Sequence, residues 1–228
     1  MTPRKVHLIT ALLAIAFAAS GVLGGDYVRA IDDAGYRCLQ SSITTYTHAS
    51  DVRVTLIAAV HVGDGAYYDH IRRQIATADS VIHEGIVRSQ RTPIARFDWA
   101  ESLGLARQTS VIRCAGARYI RGDLTEAEFD RIRAPFAPGD TPASRAALAD
   151  SIVACVTNPN ARQYVVGAFA IEQRNRAAIA ALRARLARGD RDIILLYGAA
   201  HAQDLSDRLT RELGFAEQAK SWLRVFDY

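Results

Sequence analysis

The chain has 228 residues, 50% of them apolar, 23% charged and 8% aromatic, proportions that exclude wholesale disorder, a collagen-like fibre and a multi-spanning membrane protein. Three cysteines are too few for a disulfide-packed mini-domain, and the length suits one sizeable core. Arg4 and Lys5 supply half of the formal charge of +4, and no basic cluster with interleaved aromatics occurs, so nucleic acid is not an expected partner.

Residues 1–24 read as an address. Met1–His7 is short and basic, Leu8–Ala19 is an uncharged apolar run, and Ala16-Phe17-Ala18 offers small residues at the spacing a signal peptidase uses. The run is short for a membrane span, which needs roughly 20 residues. Extended through Gly24 it becomes a marginal anchor. The expectation is export to the periplasm or the exterior with the segment removed; the alternative is membrane association through a retained N-terminal anchor. Residues 25–228 are then one α/β domain. Export would permit a disulfide, but Cys38, Cys114 and Cys155 leave one over, and three buried thiols suit the sequence as well as a bridge does.

A hairpin is predicted from Tyr36–Tyr46 and the stretch from Arg53 onward. Val52–Val60 is β-rich and apolar and ends at His61; Gly63-Asp64-Gly65 is a turn, and Ala66–Ala78 has helical periodicity. Ser80-Val81-Ile82 is a second short strand, running into His83-Glu84-Gly85. Arg118–Arg121 is a third, ending in Gly122-Asp123, with a helix over Leu124–Arg133. Ala134–Ser144, with three prolines, is a loop placed to cover a crevice. Ala161–Gly189 carries an apolar stripe at helical spacing that Arg174 and Asn175 interrupt, and a charge aimed at a core needs a partner such as Glu84 or a bound anion. Asp192–Tyr197 is the clearest buried strand and ends in Gly198-Ala199-Ala200-His201. A helix follows as far as Gly214, and Trp222–Tyr228 is an edge strand.

This alternation predicts a single α/β domain with a largely parallel mixed sheet flanked by helices, an N-terminal β-hairpin and a C-terminal edge strand. In such sheets ligands bind beyond the carboxyl ends of the strands. His61, Glu84, Asp123 and His201 each occupy such an end. Singly, each is explained as a helix cap, a turn former or a satisfied core histidine; together they point to a shared site. Two imidazoles and one or two carboxylates suit a catalytic divalent metal, with Glu84 as ligand or general base and Arg174 stabilising charge on a carbonyl oxygen. Gly63 and Gly65 imitate the start of a dinucleotide-binding loop, but Tyr68 stands where its third glycine should be.

The segments VTLIAAVHVGDGAYYDHI, ADSVIHEGI, LGLARQ, GARYIRGDLTEAEF, EQRN and LLYGAAHAQDLSDRLTRELGF span most of the chain after Arg53. They resemble the TraB/TIKI (TraB/GumN-like) family, within the wider group of erythromycin esterase-like and ChaN-like proteins. The family's marks are two G-x-x-H motifs, a glutamate after the first and an arginine before the second. They fall here on His61, Glu84, Arg174 and His201, with Asp123 matched in a subset of such sequences. Two departures stand out: Ala58 replaces the first motif's glycine, and Ala202-Gln203-Asp204 replaces a small or proline–glycine continuation. Animal members are membrane-associated metal-dependent proteases. The resemblance therefore implies a divalent ion (Mn, Co or Zn) held by His61, His201, Glu84 and Asp123, and a peptide or protein substrate. Two other readings stand beside this exported hydrolase. One is a non-catalytic protein holding a peptide, haem or pheromone-like ligand in the same crevice, and the other is a nucleotide-binding oxidoreductase using Gly63 and Gly65.

Overall fold

In chain order the elements are β1 (Gly21–Gly24), β2 (Val28–Asp33), β3 (Tyr36–His48), β4 (Val52–Ala59), β5 (Val62–Gly63), α1 (Gly65–Ala76), β6 (Ser80–His83), β7 (Ala106–Arg107), α2 (Gln108–Val111), β8 (Tyr119–Arg121), α3 (Glu126–Ile132), α4 (Arg145–Thr157), α5 (Ala168–Ala187), β9 (Asp192–Gly198), α6 (Ala202–Arg211) and β10 (Ala216–Asp227). Short 3₁₀ segments occupy Ala95–Leu103 and Ala199–His201. The computed structural model describes residues 21–33, 35–49, 51–86, 95–132, 142–158 and 168–228.

Among the described residues, eight strands form one mixed sheet of order β1-β2-β3-β4-β9-β6-β8, with β10 also paired to β3. β4 and β6 both pair with β9 in parallel, and β8 pairs with β6 in parallel. β1, β2, β3, β4 and β10 meet one another antiparallel. β10 runs along β3 from Cys38 to Thr47, so β2 and β4 share the opposite edge of that strand, one after the other. The α/β class, the single domain, the N-terminal hairpin and the C-terminal edge strand are those the sequence implies. The edge strand is longer than its apolar end suggested, because its first half, from Ala216 to Ser221, is held by backbone pairing while its side chains stay in or near solvent.

The parallel half is built from strands that bury both faces. Ile193, Ile194, Leu195, Leu196 and Tyr197 of β9 are all buried, as are Leu56, Ile57 and Ala58 beside them and Val81 and Ile82 on the far side. Burial of each large aliphatic side chain contributes about 1.5–3 kcal/mol, and the branched residues suit the pleated surface. α1 packs on this sheet through Tyr67, Tyr68, Ile71 and Ile75. α5 packs there through Ala178, Ile179 and Leu182, of which Ala178 and Leu182 belong to the stripe read from the sequence, and Ile171 of that stripe is buried as well.

Other elements escaped the sequence reading. α4 starts where Ser144, read as loop, accepts a hydrogen bond from the Ala147 N–H and caps the helix. Gly21–Gly24, read as the end of the N-terminal segment, form β1 and pair with β2. A cut after Ala18 would leave that strand in the sheet. Residues 1–20, the stretch from Ala134 to Thr141 expected as a loop and residues 161–167, expected as the start of the long helix, lie outside the described residues. No disulfide joins Cys38, Cys114 and Cys155. Among the described residues no helix is long and apolar enough to cross a membrane.

Candidate functional site

The parallel register brings four strand ends to one place. Gly198 of β9 lies beside Ala59, the last residue of β4, and Leu196 lies beside His83, the last residue of β6. Glu84 leaves β6 with its N–H on the Leu196 carbonyl, and Gly122 leaves β8 with its N–H on the His83 carbonyl. His61, Glu84, Asp123 and His201 therefore converge at the carboxyl edge, with Arg174 reaching in from α5.

Each is anchored by its own surroundings. Val60, just before His61, donates its N–H to the Tyr67 hydroxyl at 3.0 Å, and its carbonyl accepts from the Tyr68 hydroxyl at 2.9 Å. The two adjacent tyrosines of α1 thus hold the end of β4 in place. Gly63 has a packing reason of its own: a Cβ there would lie 2.9 Å from Val225 Cγ1 and 3.1 Å from the Tyr67 ring. That close approach to β10 accounts for the glycine without a nucleotide phosphate.

Glu84 is the centre of the cluster. Its Oε2 accepts the Gly198 N–H at 2.7 Å, and its Oε1 lies 2.8 Å from Arg174 Nη2. His201 Nε2 is 3.6 Å from Oε1, and His61 Nε2 is 4.0 Å from Oε2. Burial pushes the Glu84 carboxyl up, but the charge and hydrogen bond of His201, the Arg174 guanidinium and the charge of His61 pull it further down, well below the usual carboxylate range. A side chain at position 198 would close this arrangement, since a Cβ there would stand 2.9 Å from Glu84 Oε2 and 3.1 Å from His61 Nε2.

Asp123 has a different situation, with a side chain 0% exposed. Its Oδ1 accepts from Arg174 Nε at 2.9 Å and from the Leu124 N–H at 2.8 Å. Its Oδ2 accepts from Arg174 Nη2 at 2.6 Å and from the Gly85 N–H at 2.8 Å. The Arg174 side chain is 8% exposed, forks onto Asp123, touches Glu84, and points Nη1 at His201 Nε2 from 3.4 Å. Its guanidinium also lies over the Phe129 ring, 5.6 Å from the centroid. The carboxylates raise the Arg174 pKa further above its already high value, against the opposing effect of burial. Two carboxylates and one guanidinium leave this cluster with one net negative charge.

All five residues singled out from the sequence meet here. Two more belong with them. Gln108, at the start of α2, places Oε1 3.0 Å from His61 Nδ1 and donates its N–H to the His61 carbonyl at 2.8 Å. Asn175, fully buried, places Oδ1 2.6 Å from His201 Nδ1. The sequence flagged Asn175 as a polar interruption of an apolar stripe. Gln108 carried no such signal, because it follows a two-residue strand with no periodicity to break.

A divalent ion would need three donors with lone pairs to offer. His61 Nε2 and the Glu84 carboxylate meet that need. His201 Nε2 faces an arginine N–H, and both Asp123 oxygens are occupied by Arg174 and two backbone N–H groups. A dication beside His201 would also stand next to the guanidinium, a repulsion on the order of several kcal/mol at 4 Å even at an effective dielectric near 20. The described residues contain no group of three or more His, Cys, Asp or Glu side chains arranged to hold a metal ion. The donor set as folded does not fit a three-ligand centre.

Compared with protein-family models, with curated proteins and with solved structures, the chain matches none.

Proposed function

We propose that the chain is a hydrolase of acyl substrates, with His61 as the general base and Glu84 as the carboxylate that sustains it. The observation that carries this reading is the graded exposure of one connected cluster. The His61 side chain is 45% exposed at the mouth, Glu84 is mostly covered behind it, and Arg174, Asp123 and His201 are buried behind both. A water at the mouth would give its proton to His61 Nε2 as it attacks the substrate carbonyl. The resulting imidazolium faces the Glu84 carboxylate, and the same proton can then pass to the leaving group. Arg174 and the Gly198 N–H keep Glu84 ionised and in position, which makes Arg174 a partner of buried acids rather than of the substrate's oxygen. Peptide is the substrate class the resemblance implies, and export is the compartment the N-terminal residues imply.

The full-length protein incubated with a mixed peptide library, read by mass spectrometry with and without a chelator, tests this. Cleavage that persists in the chelator, with no stoichiometric metal in the purified protein, is the expected result. Cleavage abolished by the chelator and restored by Mn, Co or Zn would return His61, His201, Glu84 and Asp123 to ligand roles. Tight binding of a peptide or haem with no cleavage would favour the binding-protein reading.

A further inference from the structure

The two site histidines are gripped in the same way by residues far apart in sequence. Each presents Nε2 towards Glu84, and each has Nδ1 on the oxygen of a side-chain amide. For His201 the amide's orientation is forced. Asn175 Nδ2 donates to the His201 carbonyl at 3.2 Å and to Asp204 Oδ2 at 2.9 Å. Both partners are acceptors only, so turning the amide would set an oxygen against two oxygens. Asn175 Oδ1 must then be the atom facing Nδ1, and it can only accept. Asp204 is itself held by Arg208 Nε at 2.8 Å, and Arg208 Nη1 continues to Glu212 at 2.8 Å. The direction of the whole chain, from Arg208 through Asp204 and Asn175, is set by charge. It ends by requiring a proton on His201 Nδ1.

On the other side of Glu84, Gln108 Oε1 meets His61 Nδ1, and the Gln108 backbone N–H on the His61 carbonyl keeps the two residues in register. Gln108 is brought there by the short antiparallel pairing of β5 with β7, which ends at Val62 and Arg107.

We propose that Asn175, backed by Asp204 and Arg208, and Gln108 are positioning residues that hold both site histidines in the Nδ1–H tautomer, so that each can take a proton only at Nε2, beside Glu84. Isolated neutral imidazoles favour the opposite, Nε2–H form, so the clamp works against the ring's own preference and is measurable. It concerns the same site as the hydrolytic reading, but its test reads ring protons rather than turnover, and either can fail alone.

The test is nitrogen-15 NMR of the full-length chain with labelled histidine at alkaline pH, the two rings being assigned from His61→Gln and His201→Gln. Both site rings are expected as Nδ1–H tautomers. Asn175→Leu should shift His201 towards the Nε2–H form and leave His61 unchanged. Gln108→Leu should do the reverse, and Gln108→Glu, which keeps an accepting oxygen, should restore the His61 signal. An Nε2–H ring at either position in the unaltered protein overturns the proposal, and that reading stands even if Asn175→Leu fails to fold. So does a His201 ring that remains Nδ1–H in a folded Asn175→Leu protein.

Discussion

The parallel half of the sheet has an arginine–carboxylate pair at each of its ends, and the two pairs have opposite characters. At the amino ends, Arg53 of β4 forks onto Asp192 of β9, with the arginine 56% exposed. At the carboxyl ends, Arg174 forks onto Asp123 and touches Glu84, with all three largely or wholly out of solvent. The chemistry of the pairs is the same and the solvent is not. Water screens the first pair and can replace either partner, whereas at the second each charge depends on the others. A protein that keeps two carboxylates, an arginine and a histidine buried at one end of its sheet does so against the cost of desolvation. The same cost is absent at the end where an exposed pair serves.

Removing each arginine gives the sharpest contrast. Arg174→Ala leaves Asp123 and Glu84 buried without their cation, and a loss of about 3–5 kcal/mol in denaturant unfolding is expected. Unchanged stability with reduced turnover would instead make Arg174 a substrate-binding group. Gly198→Ala is the next largest. Its Cβ would press on Glu84 Oε2 and His61 Nε2, so about 1–3 kcal/mol of strain is expected, with the His61 and Glu84 side chains displaced in a structure of the variant.

The buried cluster also responds to pH. Glu84 is held well below the usual carboxylate range, so its contribution is complete above an unfolded-state value of about 4.3 and is lost as pH falls through the folded value. Stability measured against pH should therefore fall on the acid side, and Glu84→Gln should flatten that limb. A limb of unchanged steepness would place the acid sensitivity elsewhere. The smallest effect belongs to Arg53→Ala, under about 1 kcal/mol by the same unfolding measurement, and less at high salt.

The two ends were also unequally legible. His61, Glu84, Asp123 and His201 could be found because each follows an apolar run, and in a parallel sheet such runs finish together. Arg174 and Asn175 showed as polar residues on a stripe that should be apolar. Their partners could not be read, because which atom of Arg174 meets which carboxylate depends on the depth and rotation of α5 over the sheet. Gln108 closes the quoted segment LGLARQ, but its role could not be read for another reason: β5 and β7 are each two residues long, too short for a period, and only their pairing brings the amide to His61. β1 and the exposed half of β10 were missed because backbone pairing, which no side-chain pattern records, holds them.

In the proposed hydrolase, His61 and Glu84 act together at the open face of a buried charge cluster. Its most direct test is the cleavage rate of the peptide library by the full-length chain, set beside His61→Gln and Glu84→Gln. The expected result is a loss of roughly 10²-fold or more in both variants, as for removal of a general base or of the group that sustains it, with folding retained by circular dichroism. A folded variant of either kind that cleaves at the unaltered rate would contradict it.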